Sequence, residues 1–287
     1  MTLDYYEIDL EKNKHNLNKL AELPEIIDIH AHIFPEKIAA RAVDSIGSFY
    51  QLELSGDGTA SSLIEADNRA GISRSLVFST ATVRSQVEPI NNFLSTRKNE
   101  YSSLIAFGTL HPAQSAIEIN ETLASFEKLD LKGIKLHPDF QQIEANSDFV
   151  LELAAQAGGR YPILLHAGDW RYDFSGPARI ADLARKRPDC TFIAAHFGGW
   201  SQWQDALAVL SGLDNLYVDT SSTMAFVAPE QIVSLIRGFG SKHVLFGSDF
   251  PMWQPYEELV RLASLPLTRA ELADIVCYNA CSLLAFS

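Results

Sequence analysis

Eight apolar, β-rich runs recur along the 287-residue chain, separated by stretches with helical spacing. The runs are 26–33, 73–80, 104–110, 133–137, 162–166, 190–196, 215–220 and 243–249, and each is read as a strand. Helices are expected at 61–70, 89–99, 113–129, 148–157, 177–186, 202–210 and 229–239, with 256–264 and 269–284 at the end. Strict alternation demands crossover connections and therefore a parallel sheet, and eight repeats are the number that closes a (β/α)8 TIM barrel. The other α/β architecture, a doubly wound open sheet, normally has fewer strands and a glycine-rich phosphate turn after the first, which this chain lacks. Residues 1–25 carry Leu10, Leu17, Leu20 and Leu23 before Pro24 and read as a short N-terminal helical leader, leaving 26–287 as the barrel. The connection 34–72 is longer than a usual strand-to-helix loop, which places it among the loops that set substrate selectivity.

Composition narrows the partners. A hydrophobic share of 47% with 21% charged residues is that of a globular chain with an ample core. The net charge of −13 repels phosphate backbones and anionic lipid, so no nucleic acid and no membrane surface is expected as a partner. A small anionic substrate would need a local basic pocket. The acidic, polar start carries no apolar signal segment, and no run reaches spanning length, so a cytoplasmic protein is expected. Cys277 and Cys281 are four apart on an expected helix and Cys190 stands alone, which suits packing better than metal binding. The leader could serve a subunit contact, and a homodimer is the oligomer considered.

The polar residues fall at strand ends, where a barrel keeps its chemistry. Of eight histidines, His30, His32, His111, His137, His166 and His196 lie at or just past such ends. A single histidine there is more often a satisfied structural residue; six on one rim are hard to reach by accident. In 26–33, a period of two puts Asp28, His30 and His32 on one face of a β-branched strand, and neutral imidazoles aimed at one spot suit a metal ion. Asp249 ends the last run and would lie beside the first strand in a closed barrel, able to ligate the same ion and take a proton from its water; the plainer reading is a turn before Pro251. Trp200, after Gly198 and Gly199, could form an apolar wall for substrate. Arg171 could clamp a carboxylate, or pair internally with Asp169 or Asp173. His111 and His137 each precede a proline and either contact substrate or fix a turn.

Taken together, Asp28-x-His30-x-His32, the Gly-Ile-Lys-Leu-His-Pro of 133–138, His166, Ala195-His196-x-Gly198-Gly199, Gly247-Ser248-Asp249-x-Pro251, and Asn279-Ala280 with Leu283-Leu284 resemble the amidohydrolase superfamily. The nearest branch is the amidohydrolase-2 group, which includes aminocarboxymuconate semialdehyde decarboxylase, and the resemblance spans about 26 to 284. It implies that His30, His32, His166 and Asp249 bind one divalent metal, commonly zinc, with manganese, iron or nickel as alternatives. His196 is implied as a further ligand or as the acid/base group. Lys135 stands where binuclear members carry a bridging carbamate; a second metal is disfavoured, and Lys135 is otherwise a positive charge suited to an anionic substrate. The expected activity is a metal-dependent hydrolase acting on a small carbonyl compound through activated water, with Asp249 and His196 catalytic. The alternatives are a non-oxidative decarboxylase of an unsaturated or aromatic acid and a non-catalytic metal-binding barrel.

Overall fold

The computed structural model describes residues 6–284. They fall into two compact units, Met1–Val77 with Thr220–Ser287, and Phe78–Asp219. The strands are β1 (Ile27–His32), β2 (Arg74–Phe78), β3 (Leu104–Ala106), β4 (Gly108–Thr109), β5 (Ile134–Leu136), β6 (Ile163–Leu165), β7 (Phe192–Ala194), β8 (Leu216–Asp219) and β9 (Val244–Leu245). Their order is β1-β2-β3 in one sheet and β4-β5-β6-β7-β8-β9 in the other, with helices between successive strands except β3 and β4. Each run predicted as a strand contains one, and the run 104–110 is divided at Phe107 into β3 and β4.

The second unit shows the parallel pattern most directly. Ile134 pairs with Ile163, Ile163 with Phe192 and Phe192 with Leu216, all in parallel register. β5, β6 and β7 are buried along their length, and apart from Lys135 on β5 they are apolar on both faces, as a sheet covered by crossover helices requires. Gly108 lets the helix Ala116–Leu129 come close, because a Cβ there would stand 2.4 Å from the Phe126 ring. That helix starts at a capping box in which Ser115 and Glu118 each satisfy the other's backbone N–H. Pro177, Pro229 and Pro255 each occupy the first turn of their helices, where a missing N–H costs nothing.

In the first unit, β1 is joined to the segment after β9. Ile29 N–H donates to the Phe246 carbonyl at 2.9 Å, and Ala31 and Phe250 form a parallel bridge. Asp28 secures the same seam. It is fully buried, and its Oδ1 accepts the backbone N–H groups of His30 at 2.9 Å and Ser248 at 3.0 Å. The sequence pattern grouped Asp28 with His30 and His32 on one face; its carboxylate is instead committed to the backbone beneath them. The connection 34–72 holds the expected helix, Ala60–Ala70, and before it one that was not expected, Glu36–Tyr50. Within the expected leader, Leu10–Asn13 is helical and a 3-10 segment Lys14–Leu20 follows, with Lys19 donating to the Ala263 carbonyl at 2.7 Å; its residues 1–5 lie outside the described residues. Among the described residues, no helix is long and apolar enough to cross a membrane.

Candidate metal centre

At the C-terminal end of β1, the two imidazoles meet the carboxylate that follows β9. His30 Nε2 lies 3.3 Å from His32 Nε2 and 3.3 Å from Asp249 Oδ1, and His32 Nε2 lies 3.5 Å from that same oxygen. Ligand atoms bound tetrahedrally at about 2.0 Å are separated by about 3.3 Å, so this triangle already has the edge lengths of three ligands around one small divalent ion. His30 and Asp249 are buried, which removes competing water from the donors. The backbone holds the pair in register, since Asp249 N–H donates to the His30 carbonyl at 2.8 Å.

Hydroxyl groups just past β8 orient these donors. Ser221 Oγ is 3.1 Å from His30 Nδ1; with a proton on Nδ1, the lone pair of His30 is left on Nε2. Ser222 Oγ donates to Asp249 Oδ2 and accepts the indole N–H of Trp253 at 2.9 Å. Ser222 and Asp249 both sit at positive φ, 46° and 64°, a conformation uncommon for residues other than glycine and one that gathers at functional sites.

The second unit has its own histidine cluster. His196 Nε2 and His166 Nδ1 are 3.0 Å apart, and His166 Nε2 is 2.9 Å from the Gly168 carbonyl. A carbonyl only accepts, so His166 carries its hydrogen on Nε2, leaving the lone pair on Nδ1 to accept from His196 Nε2–H. His196 is held by its backbone N–H, which donates to Asp219 Oδ1 at 2.9 Å, and it has a positive φ of 59°. Behind His166, Asp139 Oδ2 accepts from Ser175 Oγ at 2.5 Å and lies 3.6 Å from His166 Nε2. Burial pushes the Asp139 carboxyl up to about 6, against the pull of the Ser175 hydrogen bond. His137, Asp139 and His166 have donor atoms within 4.8 Å of one another. Yet the His137 and His166 rings are stacked, 4.0 Å apart and 7° from parallel. Imidazole lone pairs lie in the ring plane, so stacked rings do not converge on one ion as His30 and His32 do.

The remaining predicted residues take other positions. Lys135 is fully buried on β5, its ammonium 4.4 Å from the centre of the Phe78 ring. Arg171 is gripped by Asp169, with Nε 2.9 Å from Oδ1 and Nη2 2.7 Å from Oδ2; of the two readings offered for it, the internal ion pair is the one observed. His111 is in a turn, its Nδ1 accepting from Ala113 N–H at 3.1 Å and its Nε2 3.2 Å from the Thr82 carbonyl. Trp200 is buried, and its backbone N–H donates to the Ala167 carbonyl at 2.7 Å. Gly168 permits that approach, since a Cβ there would be 2.3 Å from the Trp200 nitrogen. Ser221, Ser222, Trp253, Asp139, Ser175 and Asp219 were not singled out from the sequence. Asp219 ends β8 and the hydroxyls of 220–223 follow it directly, so extending the strand-end criterion beyond histidine would have found them.

Comparison with known proteins follows the same lines. The model of the amidohydrolase family, amidohydrolase-2 group, matches residues 27–286. The chain belongs to this family. Membership makes it an enzyme. No curated protein sequence matches the chain. Among solved structures, an uncharacterized TIM-barrel protein from Bordetella bronchiseptica is similar with a TM-score of 0.75 and 18% identity, over 91% of this chain and 98% of that one. The 2,6-dihydroxybenzoate decarboxylase from Rhizobium gives 0.67 and 14%, over 91% and 98%. The 5-carboxyvanillate decarboxylase from Novosphingobium aromaticivorans, complexed with manganese and 4-hydroxy-3-methoxy-5-nitrobenzoic acid, gives 0.70 and 13%, over 100% of both. At these identities the likeness shows the fold, and the fold is a (β/α)8 barrel.

Proposed function

We propose that this amidohydrolase-family chain is a divalent-metal-dependent decarboxylase of a small aromatic or unsaturated carboxylic acid. The observation that carries the metal is the triangle of His30 Nε2, His32 Nε2 and Asp249 Oδ1, with edges of 3.3, 3.3 and 3.5 Å. Two neutral imidazoles and one carboxylate suit zinc or manganese; the sequence resemblance adds His166 as a ligand and gives His196 as a further ligand or the acid/base group, and the second role is the one proposed. When bound, such an ion supplies Lewis-acid polarisation of a substrate oxygen.

The chain's own residues would then divide the work. Ser221 keeps the lone pair of His30 on Nε2, and Ser222 keeps Asp249 turned with Oδ1 toward the imidazoles. His196 Nε2–H is the proton-bearing group of the histidine pair in the second unit, and it is the candidate to deliver a proton to the carbon that loses its carboxylate. Because Asp169 occupies Arg171, recognition of a substrate carboxylate is left to the centre itself. Trp253, edge-on to Phe226 with ring centres 5.6 Å apart, gives the first-unit cluster an aromatic neighbour fitted to a planar substrate.

Decarboxylation is preferred over the hydrolysis expected from sequence because several similar folds bear the names of aromatic-acid decarboxylases. Hydrolysis is the second reading, since the family is that of the amidohydrolases and Asp249 offers a carboxylate as base. Zinc- and manganese-loaded protein should release carbon dioxide from hydroxylated benzoates and leave lactones and cyclic amides intact. Carbonyl hydrolysis without carbon dioxide would reverse the order of the two readings. Absence of turnover over both panels would favour a barrel that binds metal without catalysis.

A further inference from the structure

Asp249 has two carboxylate oxygens with different surroundings. Oδ1 faces His30 and His32, whereas Oδ2 receives the Ser222 hydroxyl. The direction of that second contact is fixed from outside. An indole N–H can only donate, and Trp253 Nε1 is 2.9 Å from Ser222 Oγ. The Ser222 oxygen therefore accepts from Trp253, and its single hydrogen points on to Asp249. A hydroxyl alone could rotate and act as either donor or acceptor; this one cannot without losing the indole. We propose that Ser222, polarised by Trp253, is a positioning residue that presents Asp249 Oδ1 to the divalent ion and withholds Oδ2 from it, making Asp249 a one-oxygen ligand. The inference rests on the metal-centre reading above.

Three features support a dedicated arrangement. Ser222 is 5% exposed, so its hydroxyl has little water to turn to. Its backbone is at a φ of 46°, a conformation that most side chains avoid and that here aims the hydroxyl at Asp249. Trp253 is only part-buried and packs edge-on against Phe226, so the indole is held in place by more than its hydrogen bond. Groups that orient a metal ligand commonly change ion affinity by about 10- to 100-fold when removed, and this chain of two donors is of that kind.

The test is zinc titration by calorimetry of the full-length wild type, Ser222→Ala, Trp253→Phe and the double variant, together with the indole N–H signals of 15N-tryptophan-labelled protein. Ser222→Ala should raise the zinc Kd by about 10-fold or more. Trp253→Phe keeps the ring packing, removes the donor that fixes the hydroxyl, and should raise Kd by a smaller factor. In the Ser222→Ala background Trp253→Phe should add nothing. The Trp253 indole proton, assigned by its loss in Trp253→Phe, should shift upfield in Ser222→Ala and move on zinc addition only when Ser222 is present. A Kd for Ser222→Ala within twofold of wild type, or an equal effect of Trp253→Phe in both backgrounds, overturns the proposal. Should Ser222→Ala not fold, an increased Kd in Trp253→Phe supports it and an unchanged one overturns it. If wild type takes up no zinc or manganese, the metal-centre reading itself falls; uptake by wild type with an unaltered Ser222→Ala removes the positioning role alone.

Discussion

The two histidine clusters contain similar residues and are built differently. In the first unit, two imidazole nitrogens and one carboxylate oxygen face one another at 3.3 to 3.5 Å, and serines occupy their far sides. In the second, two rings are stacked 4.0 Å apart, one nitrogen of His166 is spent on a carbonyl, and Asp139 takes the Ser175 hydroxyl. Both hold histidine and aspartate, yet His30, His32 and Asp249 point their donors at one another where His137 and His166 stack. Direction of lone pairs, more than the number of donors, separates a place for an ion from a hydrogen-bonded core.

The strongest challenge to that contrast is to delete a converging donor. His30→Ala or Asp249→Ala should abolish stoichiometric zinc or manganese uptake and reduce turnover to background, as measured by elemental analysis and carbon dioxide release. Retained uptake in either variant would erase the distinction between the clusters.

A smaller effect is expected from the second cluster in chelator-treated protein. The folded-state Asp139 carboxyl lies at about 6, above its ordinary value of 3.8, because burial disfavours its charge. The folded state therefore holds this proton more tightly than the unfolded chain. Its contribution is fully present below about pH 4 and is lost as pH rises toward 6, by up to about 3 kcal/mol. Asp139→Asn should flatten this part of the denaturant-measured stability profile, and an unchanged slope would show that the carboxyl is not held protonated there.

His137→Ala should cost about 1 to 2 kcal/mol, since His137 is the N-cap of the helix Pro138–Gln141, accepting the Phe140 N–H, and stacks on His166. Ion stoichiometry should not change, and a drop would mean that His137 belongs to the centre. The least effect is expected for His111→Ala. Its ring only ties a partly exposed turn, so stability should fall by less than about 1 kcal/mol with uptake intact.

Strand-rich runs and the residues at their ends carried most of the architecture. Parallel strands covered by helices are mostly apolar on both faces, so β6 and β7 stood out as short buried runs, and His166 and His196 followed them. The helix Glu36–Tyr50 is the element the sequence reading lacked. Ala39, Val43, Ile46 and Tyr50 recur at helical spacing, yet only Ala39 and Gly47 are fully buried, so its apolar stripe is shallow. Asp28 shares the alternating positions of His30 and His32, and the pattern could not show that its carboxylate would hold the backbone N–H groups of His30 and Ser248. The serines carried no charge and no diagnostic spacing; their importance comes from neighbours that only the folded chain supplies, such as Trp253 beside Ser222.

The seam made by Asp28 also bears on the order of events during synthesis. Its two backbone partners include Ser248, 220 residues further along, next to Asp249. A chain emerging from the ribosome displays His30 and His32 first, and the carboxylate that completes their triangle follows only after the intervening strands and helices have been made. Growing chains thus lack a finished cation trap until the segment after β9 has emerged, and loading with the ion waits for that segment.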